Sequence, residues 1–430
     1  MTPIRARMIF VTRILFAVLA GCGALQAQAR LSGQSAQEAL VRAPAYVFGA
    51  SGAFIGVQRD FTVNSLWHLP RVEGITPLLP PVCPAERADC DWYPQSIVYD
   101  TSTATAFAVL PQKTLPHSGE PQREWQVMAF LLPAMSVQGH FNLPKCENPA
   151  LLLRPEQHEL FVNYTLPKPQ GAPDFETVVD IYDAGSLKLK KSVREKTNEE
   201  KFMQLQAVVN AGFSDRAEFD ASGDVILSWL SLIRFTGNTF VKQTLDPVTL
   251  LAAEEKKKLE PFYRIQPVNN TRYLPRETAD FNSGRALIVS ESQDGAQMAM
   301  WTVNLNDSKA SLVSVVPAGN AHLIANGARV LVEKAKPAPG ATTNSDKNEK
   351  LGIWTVYDVA TGKQLLQKVI ASAKGRAAMN ELTCVWPDGS RALFRHQDKL
   401  YGVELDSAGA VREIPALFPA VPPLHCIFVP

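Results

Sequence analysis

The chain has 430 residues, 46% hydrophobic and 20% charged, which is the balance of a folded protein rather than a disordered or fibrous one. Its net charge of +1 implies no general pull toward nucleic acid or an anionic membrane surface. Proline is abundant, 31 residues against 25 glycines, which suits many turns and few long helices.

Residues 1–29 read as a signal segment rather than as part of the fold. Arg5, Arg7 and Arg13 supply its positive start, and the apolar run Ile14–Ala20 is too short to span a bilayer. Two ends are open. Leu19-Ala20-Gly21-Cys22 resembles a bacterial lipoprotein signal, in which Cys22 is lipidated, and Ala27-Gln28-Ala29 resembles an ordinary signal-peptidase site. The short apolar run favours Cys22, and either end exports the chain. Cleavage before Cys22 leaves 40 basic residues against 42 acidic ones. No later stretch offers 18 uninterrupted apolar residues, so membrane contact is expected only through the lipid anchor. Residues 30–43, rich in Gln, Ser, Ala and Gly, read as a flexible tether.

From Ala45 a four-strand unit recurs. Units begin at Ala45, Ser96, Ala150, Ala217, Ala279, Ala321 and Leu382, between 42 and 67 residues apart. A four-stranded meander with two apolar faces needs copies of itself on both sides, which is the logic of a β-propeller. The fold class expected for residues 44–430 is therefore all-β, a single propeller of seven four-stranded blades, with six or eight left open. Small turns close the first hairpins at Ala221-Ser222-Gly223, Asn282-Ser283-Gly284, Ala325-Asn326-Gly327 and Pro387-Asp388-Gly389. Asp183, Asp307, Asp358 and Asp406 end third strands, where a carboxylate can cap the next turn. Trp67, Trp125, Trp301 and Trp354 fall on third strands and are expected to pack between blades. Lys188, Lys190 and Lys191 belong to an outermost strand, where charge discourages edge pairing.

The long polar loops fall between second and third strands, or between a fourth strand and the next first strand. In an up-and-down blade both classes leave the same side, so one face is elaborated. Residues 199–211 are expected to form a short helix on that face, and 254–261 a solvated helical turn ended by Pro261. The final apolar run, Leu424–Val429, is expected to pair within the sheet of the first unit and close the ring.

Six cysteines occur in a chain that can oxidise them. Cys83 and Cys90 bracket a polar turn and are expected to form a local disulfide. Cys384 and Cys426 sit in apolar strand patterns and are expected to be buried free thiols. Cys146 is left over. No C-x-x-C spacing occurs, so zinc, haem c and thioredoxin-like chemistry have no support.

Catalytic signatures are missing. His158-Glu159 lacks the second His of a zinc protease helix, Gly49-Ala50-Ser51-Gly52 is no nucleophile elbow, and Gly362-Lys363 lacks a phosphate-binding glycine run. The seven histidines are scattered, and a propeller can gather some at its axis. Asp220, Asp280 and Asp388 end first strands at what look like equivalent places and are the candidate metal ligands; turn capping is their simpler reading. No catalytic residue and no cofactor is assigned.

The first-strand, Pro387-Asp388-Gly389, second-strand arrangement of unit seven, with Tyr357-Asp358-Val359-Ala360-Thr361-Gly362 of unit six, resembles the WD40-like and YVTN-type propeller repeats of exported bacterial proteins. The resemblance implies a propeller and an envelope location. It implies no particular activity, because such folds host binding proteins, lactonases, quinoproteins and peptidase accessory domains. Two functions follow as expectations. One is a binding or scaffold module presenting the loop-rich face to an envelope protein or polymer, with no nucleic-acid partner. The other is an enzyme with an axial site, such as a metal-assisted hydrolase.

Overall fold

The computed structural model describes residues 38–48, 53–68, 95–113, 123–166, 174–198, 217–337, 350–370, 381–406, 411–415 and 425–430, apart from positions 133, 135, 221, 397 and 398. The signal segment, Cys22, the Cys83–Cys90 pair and the helix expected over 199–211 lie outside the described residues.

The strands form seven antiparallel four-stranded sheets, the blades of a β-propeller. The first three strands are β1 (Ala45–Phe48), β2 (Ala53–Val57) and β3 (Val63–His68). Blade 2 holds β4 (Ser96–Asp100), β5 (Thr105–Lys113), β6 (Arg123–Leu131) and β7 (Val137–Asn142). Blade 3 holds β8 (Glu147–Arg154), β9 (Glu159–Leu166), β10 (Asp174–Asp183) and β11 (Leu189–Asn198). Blade 4 holds β12 (Glu218–Phe219), β13 (Val225–Ser228), β14 (Ser231–Thr236) and β15 (Thr239–Thr244). An insertion follows, with helix α1 (Ala253–Lys258) and a hairpin of β16 (Arg264–Ile265) and β17 (Arg272–Tyr273). Blade 5 holds β18 (Glu277–Asn282), β19 (Arg285–Glu291), β20 (Gln297–Asn304) and β21 (Lys309–Pro317). Blade 6 holds β22 (Asn320–Ile324), β23 (Arg329–Pro337), β24 (Lys350–Asp358) and β25 (Gln364–Ile370). Blade 7 holds β26 (Glu381–Val385), β27 (Arg391–His396), β28 (Lys399–Glu404) and β29 (Arg412–Ile414). The last strand, β30 (His425–Phe428), pairs with β1 in register from Ala45↔Phe428 to Phe48↔His425.

That closure was expected from Leu424–Val429, but it shifts the phase of the first blade. Strands β26, β30, β4, β8 and β12 touch in succession, as do β18 and β22, so the inner ring is made of first strands and β30 belongs to it. Blade 1 therefore takes its inner strand from the C-terminal end of the chain. Ala45–Phe48 is its second strand rather than its first, and Trp67 lies on the outermost strand, not a third one. Alternation and turn residues show that a hairpin is present; they do not show which rung of a blade it occupies.

Burial between blades holds the ring together. Seven apolar clusters appear among the described residues, each spanning two neighbouring blades. Trp301, Trp354 and Trp125 sit in three of them, as expected for packing side chains, and Trp386 sits in a fourth. Trp386 also donates its Nε1–H to the Ala43 carbonyl at 3.0 Å.

The turns behave as their residues dictate. Ser283 and Gly284 both take positive φ, the requirement of a tight two-residue hairpin. After third strands, Asp183 accepts from Ser186 N–H at 2.8 Å and Asp358 from Thr361 N–H at 2.8 Å. β11 is the outer strand of its blade; Lys190 reaches Glu159 at 2.6 Å and Lys191 the Gly237 carbonyl.

Two expectations change. Residues 38–42, placed in the flexible tether, are helical, and the Arg59 guanidinium donates to the Val41 carbonyl. The 254–261 segment is not merely solvated. Pro261 sits inside a 3-10 turn, Glu260–Phe262, that follows α1. Leu259 and Phe262 are buried in the cluster that contains Trp301, and these apolar anchors tie the segment to the ring.

Candidate binding face and axial lining

Strand direction assigns every connection to a face. Inner strands run from the side of the fourth-to-first connections toward the side of the first-to-second turns. The connections 69–95, 114–122, 167–173, 199–217, 245–276, 338–349, 371–380 and 415–424 all leave from one face. On the opposite face no connection exceeds 405–411. One face is thus loop-rich and the other is built of tight turns.

The long connection of the loop-rich face that is described is the insertion after β15. Glu255 of α1 accepts from the Leu312 N–H of β21 at 2.9 Å, which fastens the insertion to blade 5. Arg272 pairs with Glu260 and lies over the Tyr263 ring at 4.5 Å. The hairpin exposes Ile265, Tyr273 and, at its tip, Val268, which is 91% exposed. An apolar tip held by a polar base is a contact feature rather than a core feature.

At the axis, inner strands begin on the loop-rich face with exposed polar residues: Glu147 and Asn148 on β8, Glu277 on β18 and Asn320 on β22. Deeper down, side chains of one inner strand bond the backbone of the next. Ser96 accepts from Leu151 N–H at 3.0 Å. Asp280, buried at 3% exposure, accepts from its neighbour Phe281 N–H at 2.8 Å and from Leu323 N–H of blade 6 at 2.8 Å. His322 Nδ1 lies 3.9 Å from the same carboxylate. Glu218 on β12 is half-buried; burial raises its carboxyl to about 7, and Oε1 is buried without a hydrogen-bond partner. The inner strands are acidic, with Asp100, Glu147, Glu218, Glu277 and Asp280. Arg154 is the basic counterpart, bound to Glu159 and the Gly223 carbonyl. The exposed members at the rim, Glu147 and Glu277, can pair with ammonium or guanidinium groups and accept hydroxyl hydrogen bonds, whereas Asp100 and Asp280 are buried and Glu218 Oε1 lies beside Gly284 of the next blade.

The three aspartates singled out from the sequence are not brought together at one level. Asp220 flanks a four-residue turn, Asp280 lies inside its strand, and Asp388 lies within a turn. Asp220 accepts from Ser222 Oγ at 2.7 Å and from the Asp224 and Val225 N–H groups; burial opposes its charge, but these bonds hold its carboxyl below the usual range. Asp388 caps Ser390 N–H at 3.0 Å and pairs with Arg59 at 3.0 Å; against burial, these partners lower its carboxyl too. Capping and blade linkage describe all three. Among the described residues no group of three or more His, Cys, Asp or Glu is placed to hold a metal ion. Of the histidines, His322 and His425 lie on inner strands, His140 on an outer strand, and His158 in a turn.

The cysteine expectation is overturned. Cys384 on β26 and Cys426 on β30 form a disulfide, with Cα atoms 5.9 Å apart. The closing strand places two residues 42 positions apart side by side, which strand pattern alone does not show. Cys146 is the buried free thiol instead; burial first, then the Glu147 and Asp180 carboxylates, push it up to about 12. Sequence reasoning also missed Asp180, buried between blades 2 and 3, which accepts from Tyr164 O–H at 2.7 Å. An Asp flanked by apolar residues in Val178-Val179-Asp180-Ile181 was the available signal.

No protein-family model matches the sequence, and no curated protein matches it significantly. Some solved structures are distantly similar. The periplasmic gluconolactonase of Pseudomonas aeruginosa is 12% identical over 90% of this chain and 100% of that one, with a TM-score of 0.44. The hydrazine synthase of Kuenenia stuttgartiensis is 9% identical over 78% of this chain and 81% of that one, at 0.38. A prolyl endopeptidase is 9% identical over 88% of this chain and 51% of that one, at 0.42. At these scores the likenesses carry nothing about activity. No helix among the described residues is long and apolar enough to cross a membrane, which says nothing of strands.

Proposed function

We propose that this chain is an exported envelope propeller of the WD40-like or YVTN-type kind, acting as a binding or scaffold module. Its loop-rich face, with the acidic axial rim and the Ile265–Tyr273 hairpin, meets a protein or polymer partner. The observation that carries this reading is the segregation of every long connection to one face of a rigid ring, since loops on a rigid scaffold are where binding concentrates. Residues 1–29 act as the export signal, and Cys22 is lipidated to hold the domain at a membrane. Photo-crosslinkers at Val268 and at Gly237, one on each face, test the reading in cells. Crosslinks to a discrete partner from Val268 but not Gly237 are expected; the reverse pattern sinks it. Mass measurement of the mature N-terminus tests the anchor: a diacylglyceryl Cys22 is expected, and a plain Arg30 overturns it.

A second reading, hydrolysis at the axis, is favoured by one observation: Glu218 Oε1 is buried on an inner strand without a hydrogen-bond partner, and that burial raises the carboxyl. Hydrolysis of any substrate from an ester, lactone and glycoside panel, lost in Glu218→Gln, would replace the first reading.

A further inference from the structure

Six blades are each built from four consecutive strands, and one is not. Blade 1 is completed only when β30 returns beside β1, so the ring has a single seam, inside blade 1 between β30 and β1. Several bonds cross it. Arg59 pairs with Asp388 at 3.0 Å, Trp386 donates to the Ala43 carbonyl at 3.0 Å, and Arg412 donates to the Asp60 carbonyl at 3.1 Å. All three tie blade 7 to the chain around β1–β3, and none of them holds β30. The closing strand is four residues long and is held by backbone pairing to β1, by side-chain packing on both sides, with Phe428 against Trp386 (5.4 Å between ring centroids) toward blade 7 and Ile427 toward blade 2, and by the Cys384–Cys426 bond. That bond lies in the half-buried margin of the seam cluster.

We propose that the Cys384–Cys426 disulfide is a redox latch on the ring: reducing it lets β30 leave the axis while the other blades and the remaining seam bonds persist. The chemistry is thiol–disulfide exchange with a dithiol. One reductant thiolate attacks a sulfur of the bridge, and the other cysteine leaves as a thiolate. The second reductant thiol then resolves the mixed disulfide, so the reductant is oxidised by two electrons and the protein gains two thiols. Release of β30 exposes the inner edge of β1, whose residues Ala45–Phe48 are all buried in the closed ring. An open apolar edge of this kind accepts another extended segment. The latch makes the closed ring the oxidised form of the protein, consistent with an exported chain.

The test is hydrogen exchange on the full chain, oxidised and after treatment with dithiothreitol, with peptide mass spectrometry confirming that Cys384 and Cys426 are free. At least tenfold faster exchange is expected in 45–48 and 425–428, with β20 in blade 5 unchanged. If the bridge resists reduction in the folded protein, the Cys384→Ser, Cys426→Ser double variant supplies the open form for the same comparison. Equal protection with both thiols free overturns the proposal, because β30 then needs no latch. Loss of protection in β20 together with β30 overturns it as well, because the seam is then not a separable unit.

Discussion

Gly389→Ala tests the contact that stacks the turns around the axis. Gly389 takes φ +69°, and an added Cβ would lie 2.7 Å from the Cβ of Ala325 and 3.3 Å from its backbone in the adjoining turn of blade 6. Two costs add. A left-handed conformation costs a residue with a Cβ about 1–2 kcal/mol. Carbon atoms sit about 3.5–4.0 Å apart at contact, so the turns must part by nearly an ångström, which overpacking data put at about 1–3 kcal/mol. Gly223 is the control: its φ is +75°, and an added Cβ meets nothing within 4 Å. Gly223→Ala should therefore cost about 1–2 kcal/mol and Gly389→Ala about 2–5 kcal/mol. Urea unfolding with an unchanged slope reads both. Pairing Gly389→Ala with Ala325→Gly should restore most of the steric part, a positive coupling in a double-mutant cycle. Equal destabilisation of the two single variants, with no coupling, would refute turn-on-turn packing as a feature of the ring.

Three further outcomes follow from the geometry. Glu218 titrates near 7 folded against an ordinary 4.5, so the folded state holds its proton more tightly. Its stabilising effect is full below about 4.5 and is lost as pH rises through about 7, up to about 3 kcal/mol; Glu218→Gln should flatten that part of the pH–stability curve. Asp280→Ala strips the buried N–H groups of Phe281 and Leu323 of their acceptors and should lower stability by about 1–3 kcal/mol; Asp280→Asn keeps one acceptor oxygen but sets an amide NH2 against the other N–H, so in thermal melts it should recover only part of that loss. Cys146, 4% exposed and pushed up to about 12, should resist alkylation at pH 8 until denaturant is added; rapid labelling of the folded protein would contradict its placement between blades 2 and 3.

Much of the site was only half legible before folding. The polarity of the inner strands is visible in the sequence, as in Glu277-Thr278-Ala279-Asp280, but the pairing of Asp280 with a residue 43 positions on is not. Asp388 reads as a turn residue and is one; its second role, binding Arg59, spans 329 positions and exists only in a closed ring. Segregation of the loops was legible because it needs only strand parity, and parity is counted along the chain.

The sequence by itself determined what is local: turn glycines and aspartates, alternating strands, Trp positions between blades, and the need of each sheet for neighbours. Only the tertiary structure decided the phase of blade 1, the Cys384–Cys426 bond and the links of Asp280 and Asp388 to neighbouring blades. The reason is physical. Turn and strand preferences are set by sterics within a few residues, whereas ring closure brings the first and last strands together through burial that neither has alone.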